Sequence, residues 1–164
     1  MAGKSYTALR SVSAVLYAGI MRLSQRQGIM NKKLKNFTFS SDSTNLDIEF
    51  ITSFLKNSYW AKGRKREKVS ATIKNSFCIG VFLKKEQIGF ARVVTDYETH
   101  AYIMDVFISP DYQGRGLGKE LMNCLVNAPE LSKICRFSLC TVDAREFYLS
   151  LGFESSNKLL IMDR

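Results

Sequence analysis

Residues 103–127 read IMDVFISPDYQGRGLGKELMNCLVN, and the change of backbone type within them decides the fold. Ile103 to Ile108 is an apolar, strand-like run that stops at Pro110. Gln113-Gly114-Arg115-Gly116-Leu117-Gly118 then leads into Leu117, Leu121, Met122, Leu125 and Val126, which recur at the spacing of one helical face. A strand, a glycine-rich turn and a helix N-terminus together make a place for a phosphate. The first amides of the helix lack internal partners, and its positive dipole end faces whatever sits there.

The spacing excludes two familiar phosphate loops. A dinucleotide fingerprint needs Gly-x-Gly-x-x-Gly, whereas these glycines stand at 114, 116 and 118. A Walker A loop needs a glycine five residues before Gly-Lys and a hydroxyl residue after it. Gly118-Lys119 has Gln113 and Glu120 at those places.

The stretch resembles the acetyl-coenzyme A motif of the GNAT-type N-acetyltransferase superfamily, Gln/Arg-x-x-Gly-x-Gly/Ala, matched here by Gln113, Gly116 and Gly118. A second resemblance lies at Asp143-Ala144-Arg145-Glu146-Phe147-Tyr148-Leu149-Ser150-Leu151-Gly152-Phe153. There the family carries a helical tyrosine followed by Leu-Gly-Phe. In this segment Asp143 is expected to cap the helix and Gly152 to end it.

The resemblance implies an α+β fold with a mixed sheet: an antiparallel meander, then a parallel, splayed strand pair, with helices on both faces. It implies acetyl-CoA as cosubstrate, no metal, and transfer of the acetyl group to a primary amine of a small molecule or peptide by direct attack in a ternary complex. Backbone groups of Val106, Phe107 and Ile108 would bind pantetheine. Gln113, Gly114, Arg115, Gly116, Leu117, Gly118 and Lys119 would hold the pyrophosphate. Tyr148 falls at the place of the general acid, and Tyr59 and Trp60 become candidate acceptor walls. Asp105, the one carboxylate in the cofactor strand, is the candidate base, with hydrogen-bonded structural acid as the alternative. Family habit also implies a homodimer.

The remaining residues fit that outline. Phe77 to Leu83 and Gln87 to Val94 alternate as hairpin strands around Lys84-Lys85-Glu86, and Ala101 to Ile108 follows after a turn at Glu98-Thr99-His100. Lys35 to Ser40 is expected as a first strand and Ile134 to Thr141 as the parallel partner of the cofactor strand. Asp42 and Ser43 are expected to cap a helix whose apolar face runs from Leu46 to Leu55. A second helix is expected over Arg66 to Lys74, and Leu159 to Met162 as a closing strand.

Composition bounds the function. The 164 residues, 46% hydrophobic, suffice for one core. The formal charge of +9 raises a nucleic-acid reading. Residues 1–35, however, hold seven of the 24 basic residues and no acid, leaving 17 basic against 15 acidic elsewhere. The excess thus belongs to a basic extension, residues 1–34, ahead of a domain at 35–164, and neither nucleic acid nor membrane is an expected partner. The extension fits a transit-type peptide, which would direct the protein to mitochondria, or a segment without a function of its own, with Met30 an alternative start. Otherwise the four cysteines, in apolar segments without metal spacing, suit buried reduced thiols in cytoplasm. His100 is the only histidine, which excludes a multi-histidine metal site. The basic run Lys62 to Lys68 either attracts an acidic acceptor or is a solvated face. The alternative to catalysis is a silent acyl-CoA-binding module or regulatory subunit.

Overall fold

The computed structural model describes residues 30–157 and 162. Its centre is the meander that the period-two pattern predicts: β3 (Phe77–Leu83), β4 (Glu86–Thr95) and β5 (His100–Ile108), each antiparallel to the next. Short polar turns close the hairpins. Lys84 takes a left-handed φ of 57°, and the Asp96 carboxylate accepts the amides of Glu98, Thr99 and His100. The Asp96 side chain does locally what Asx turns do in general, replacing ladder bonds where the chain reverses.

At one edge stand β1 (Asn31–Leu34) and β2 (Phe37–Ser40), a hairpin turned at Lys35 with φ 54° and joined to β3. The expected first strand therefore begins two residues late, and β1 lies inside the segment assigned to the extension. β1 reads Asn-Lys-Lys-Leu with its first three residues exposed, so no buried face marks it. The rest of the expected extension, residues 1–29, lies outside the described residues.

Helices cover both faces. α1 (Ile48–Asn57) and α2 (Arg66–Lys74) bury Ile51, Leu55, Val69 and Ile73 against Cys78, Phe90 and Phe107. Asp47 caps α1, its carboxylate accepting the Phe50 amide at 2.9 Å. The expected cap Asp42 instead holds a separate single turn at Ser43–Asn45, which leaves Leu46 outside the helix. α3 (Leu117–Val126) buries Leu117, Leu121, Met122, Cys124 and Leu125 on the other face, against Ile79, Val81, Ile88, Val93 and Ile103.

β6 (Arg136–Ser138) runs parallel to β5, as the intervening helix requires, but it has three residues instead of the expected eight. α4 (Arg145–Leu149) follows. The sheet order β1-β2-β3-β4-β5-β6 gives the expected α+β architecture. The closing strand expected at Leu159 to Met162 lies outside the described residues apart from Met162. The thiols also depart from expectation: Cys78 and Cys124 are buried, whereas Cys135 and Cys140 are exposed. Burial raises the Cys78 thiol to about 12.

Candidate active site

β5 departs from regular pairing at one place. Phe90 pairs with Phe107 and Arg92 with Met104, so Ala91 alone opposes both Asp105 and Val106. That is a β-bulge, and Asp105 takes φ 52°, a conformation that costs a non-glycine residue about 1 kcal/mol or more. A bulge bends the strand and sharpens its twist. On its other edge β5 pairs with β6 only at His100, Ala101 and Tyr102. Beyond Tyr102 the two parallel strands have separated, which shortens β6 and leaves that edge at Val106, Phe107 and Ile108 without a strand partner among the described residues.

The turn that follows β5 is braced from within. The Gln113 side chain donates to the Ile108 carbonyl at 2.9 Å, so its first task is to fix the end of the strand. The Arg115 guanidinium donates to the Asp111 carbonyl at 2.9 Å and lies 5.3 Å from the centre of the Tyr112 ring. Gly114 and Gly116 hold φ of 72° and 78°, and a Cβ on either would meet nothing within 4 Å. The space above them is open. Gly116 starts α3 without a side-chain cap, and the first helical bond runs from the Glu120 amide to the Gly116 carbonyl. The amides of Leu117, Gly118 and Lys119 therefore precede the helical ladder, as an anion site requires. Arg115, Gly116 and Lys119 line a cleft of about 490 Å³ whose far wall includes Ser150, Leu151 and Phe153. Gly116→Val adds a branched side chain at a left-handed position beneath this space. It is expected to weaken acetyl-CoA binding by roughly tenfold or more in a calorimetric titration.

The Leu-Gly-Phe sequence has a mechanical reason. The Phe153 amide donates to the Tyr148 carbonyl at 3.2 Å and the Gly152 amide to the Leu149 carbonyl at 3.0 Å, with Gly152 at φ 89°. This is the Schellman arrangement, which needs glycine at the left-handed position. It folds Phe153 back so that its ring lies 5.7 Å edge-on from Tyr148, while Phe147 contacts the same ring at 5.1 Å. Burial, together with the neighbouring Tyr59 and Asp143, pushes the Tyr148 phenol up to about 12. Tyr148 thus remains a proton donor throughout the neutral range.

Asp143 does not cap α4. Ala144 occupies the cap position, its amide donating to Thr141 Oγ1 at 3.1 Å, and Asp143 Oδ1 accepts the Tyr59 hydroxyl at 2.8 Å. Tyr59, in the loop after α1, is thereby tied across the mouth of the splay to the start of α4. Tyr59 and Trp60 are 54% and 40% exposed, with ring centroids 5.0 Å apart. Both line a second cleft, of about 840 Å³, together with Lys62, Arg64, Lys65, Lys68, Arg92 and Met104. The two clefts share no lining residue.

Asp105 lies behind Arg64 and Arg92 of this second cleft. Its Oδ2 accepts from Arg92 Nε and Arg64 Nη1, both at 2.6 Å, and its side chain is 1% exposed. Oδ1 is buried without a hydrogen-bond partner among the described residues. A general base must come within hydrogen-bond reach of the proton it takes. The position of Asp105 is that of the alternative reading, an anchor that fixes two arginines. Those arginines and Asp143 are the candidate-site residues that sequence reasoning missed. Arg92 carried a signal, a lone charge in an apolar strand next to the strand holding Asp105.

Comparison with known proteins agrees with this geometry. The profile of the family described as Acetyltransferase (GNAT) family matches residues 46–153. The chain belongs to that family and is an acetyl-CoA-dependent acetyltransferase by class. It is 32% identical over 121 residues to an uncharacterized N-acetyltransferase, ycf52, of Pyropia yezoensis, covering 70% of this chain and 69% of that protein. A crystal structure from Xanthomonas campestris pv. campestris, described as belonging to the GNAT family, is 36% identical with a TM-score of 0.75, covering 80% of this chain and 96% of that one. An acetyltransferase structure from Clostridium acetobutylicum solved with acetyl-CoA has a TM-score of 0.61 at 17% identity, covering 78% and 95%, and so shares the fold.

Proposed function

We propose that the protein transfers the acetyl group of acetyl-CoA to a primary amine by direct attack within a ternary complex. The observation that carries the reading is the bulged, splayed end of β5 running directly into an uncapped, glycine-lined helix N-terminus. An extended pantetheine arm fits an unpaired strand edge as an added strand would, through main-chain bonds of Val106, Phe107 and Ile108. The pyrophosphate then meets the amides from Gly114 to Lys119. The fold neighbour solved with acetyl-CoA supports this choice of cosubstrate.

In the reaction the amine nitrogen attacks the thioester carbonyl carbon and forms the amide bond. Negative charge grows on the carbonyl oxygen, where a backbone amide near Val106 stabilises it. The carbon–sulfur bond breaks, the departing thiolate takes the Tyr148 proton, and the proton that the nitrogen gives up passes to solvent, from which the Tyr148 phenolate is reprotonated. Tyr148 suits this part because burial keeps its hydroxyl protonated.

Thermal unfolding tests the reading. Acetyl-CoA and free CoA are expected to raise Tm, each adding about 2.7 kcal/mol at a hundredfold excess over its dissociation constant, whereas ATP and NAD leave it unchanged. The absence of any shift with acetyl-CoA would remove the proposal's foundation.

A further inference from the structure

We infer that the acceptor is an amine that also carries a carboxylate, gripped by the basic cleft beside the bulge; the inference rests on the acetyl-transfer reading above. The walls of the 840 Å³ cleft hold Lys62, Arg64, Lys65, Lys68 and Arg92 against the single acid Glu67. Asp105, behind them, offsets one further charge. Five cations and two anions leave the cleft strongly positive.

This is more than a solvated run of lysines. Some cations of the described surface have found acids: Lys32 pairs with Glu120, Lys133 with Glu98, and Arg66, within the same run, turns away to Glu49, whereas scattered lysines such as Lys33, Lys56 and Lys84 make no ion pair among the described residues. Lys62, Lys65 and Lys68 make no ion pair among the described residues, and they share one cleft. Arg64 adds geometry to charge. One N–H is spent on Asp105, which fixes the guanidinium, and the side chain stays 15% exposed on the cleft wall. A fixed guanidinium edge matches the two oxygens of a carboxylate. The start of α2 adds its dipole, since Lys65 at the cap position makes no side-chain capping bond.

The cleft also adjoins the chemistry. Tyr59 belongs to its wall and bonds Asp143 beside Tyr148, and Met104 immediately precedes the bulge. An acid gripped by Arg64 and the lysines would leave the amine of the same molecule facing the splay. Surrounding positive charge disfavours the ammonium form, so the field that attracts the acid also helps to present the unprotonated nitrogen. That lightens the demand on a general base, a role for which Asp105 is held behind two arginines.

The test is initial-rate kinetics at saturating acetyl-CoA with C-terminally amidated peptides beginning Ser-Glu-Glu, Ser-Gln-Gln and Ser-Lys-Lys. Free glutamate against glutamine amide separates a small acidic amine from an acidic peptide. The acidic acceptor of either kind is expected to show a KM roughly tenfold below its neutral counterpart at low ionic strength, an advantage that shrinks as salt rises. In the Lys62→Gln/Lys65→Gln/Lys68→Gln protein the ratio of acidic to neutral KM is expected to approach one. Lys62→Gln alone should move it part of the way. If acetyl-CoA stabilises the protein and the neutral or basic acceptors are used as well as the acidic ones, the inference is overturned while acetyl transfer stands. If acetyl-CoA does not bind, both are overturned.

Discussion

Tyr148→Phe is expected to lower turnover by roughly tenfold or more while leaving acetyl-CoA affinity near that of the unaltered protein. The substitution removes one oxygen and keeps the ring, so the edge contacts with Phe147 and Phe153 and the backbone bonds that fold the end of α4 survive. What disappears is the proton that the leaving thiolate needs. Steady-state kinetics beside a calorimetric titration of acetyl-CoA separates the two effects. Unchanged turnover would take Tyr148 out of the reaction. Weakened cosubstrate binding with intact turnover would make it a wall of the site.

Asp105→Ala is expected to be the most destabilising single change in the site. It leaves the guanidiniums of Arg64 and Arg92 facing one another with no acid between them, at side chains 15% and 5% exposed. Removing one member of a buried ion pair costs about 3–5 kcal/mol. At roughly 2–4 °C per kcal/mol for a domain of this size, Tm should fall by about 10 °C. A catalytic base would give the opposite pattern, lost turnover with an unmoved transition. Asp105→Asn, which keeps the shape and removes the charge, should follow Asp105→Ala in direction.

The sequence made the meander legible because Phe77 to Leu83 and Gln87 to Val94 are apolar runs of strand length bounded by polar turns, as strands buried on both faces are. The turn at 113–118 and the helix after it were legible for a related reason: glycine at a left-handed position and a helical apolar face are local properties. The Leu-Gly-Phe signature likewise records a local backbone requirement at Gly152. β1 was not legible, because an edge strand with exposed residues needs no apolar code. The true length of β6 was hidden because it depends on where its neighbour bends away. The role of Asp105 was hidden for the same kind of reason. Its partners lie 13 and 41 residues away in the chain, and only the folded sheet brings Arg92 and Arg64 together. Asp143 looked like a cap because caps are local, whereas its actual partner Tyr59 is 84 residues distant.

The separateness of the two clefts has a kinetic consequence. Under the proposed assignment of one cleft to acetyl-CoA and the other to the amine, the two ligands would approach through different doors, neither blocking the other's route in or out, since the clefts have no residue in common. Dead-end inhibitors shaped like one substrate should therefore compete with that substrate alone, and either partner should be able to arrive first.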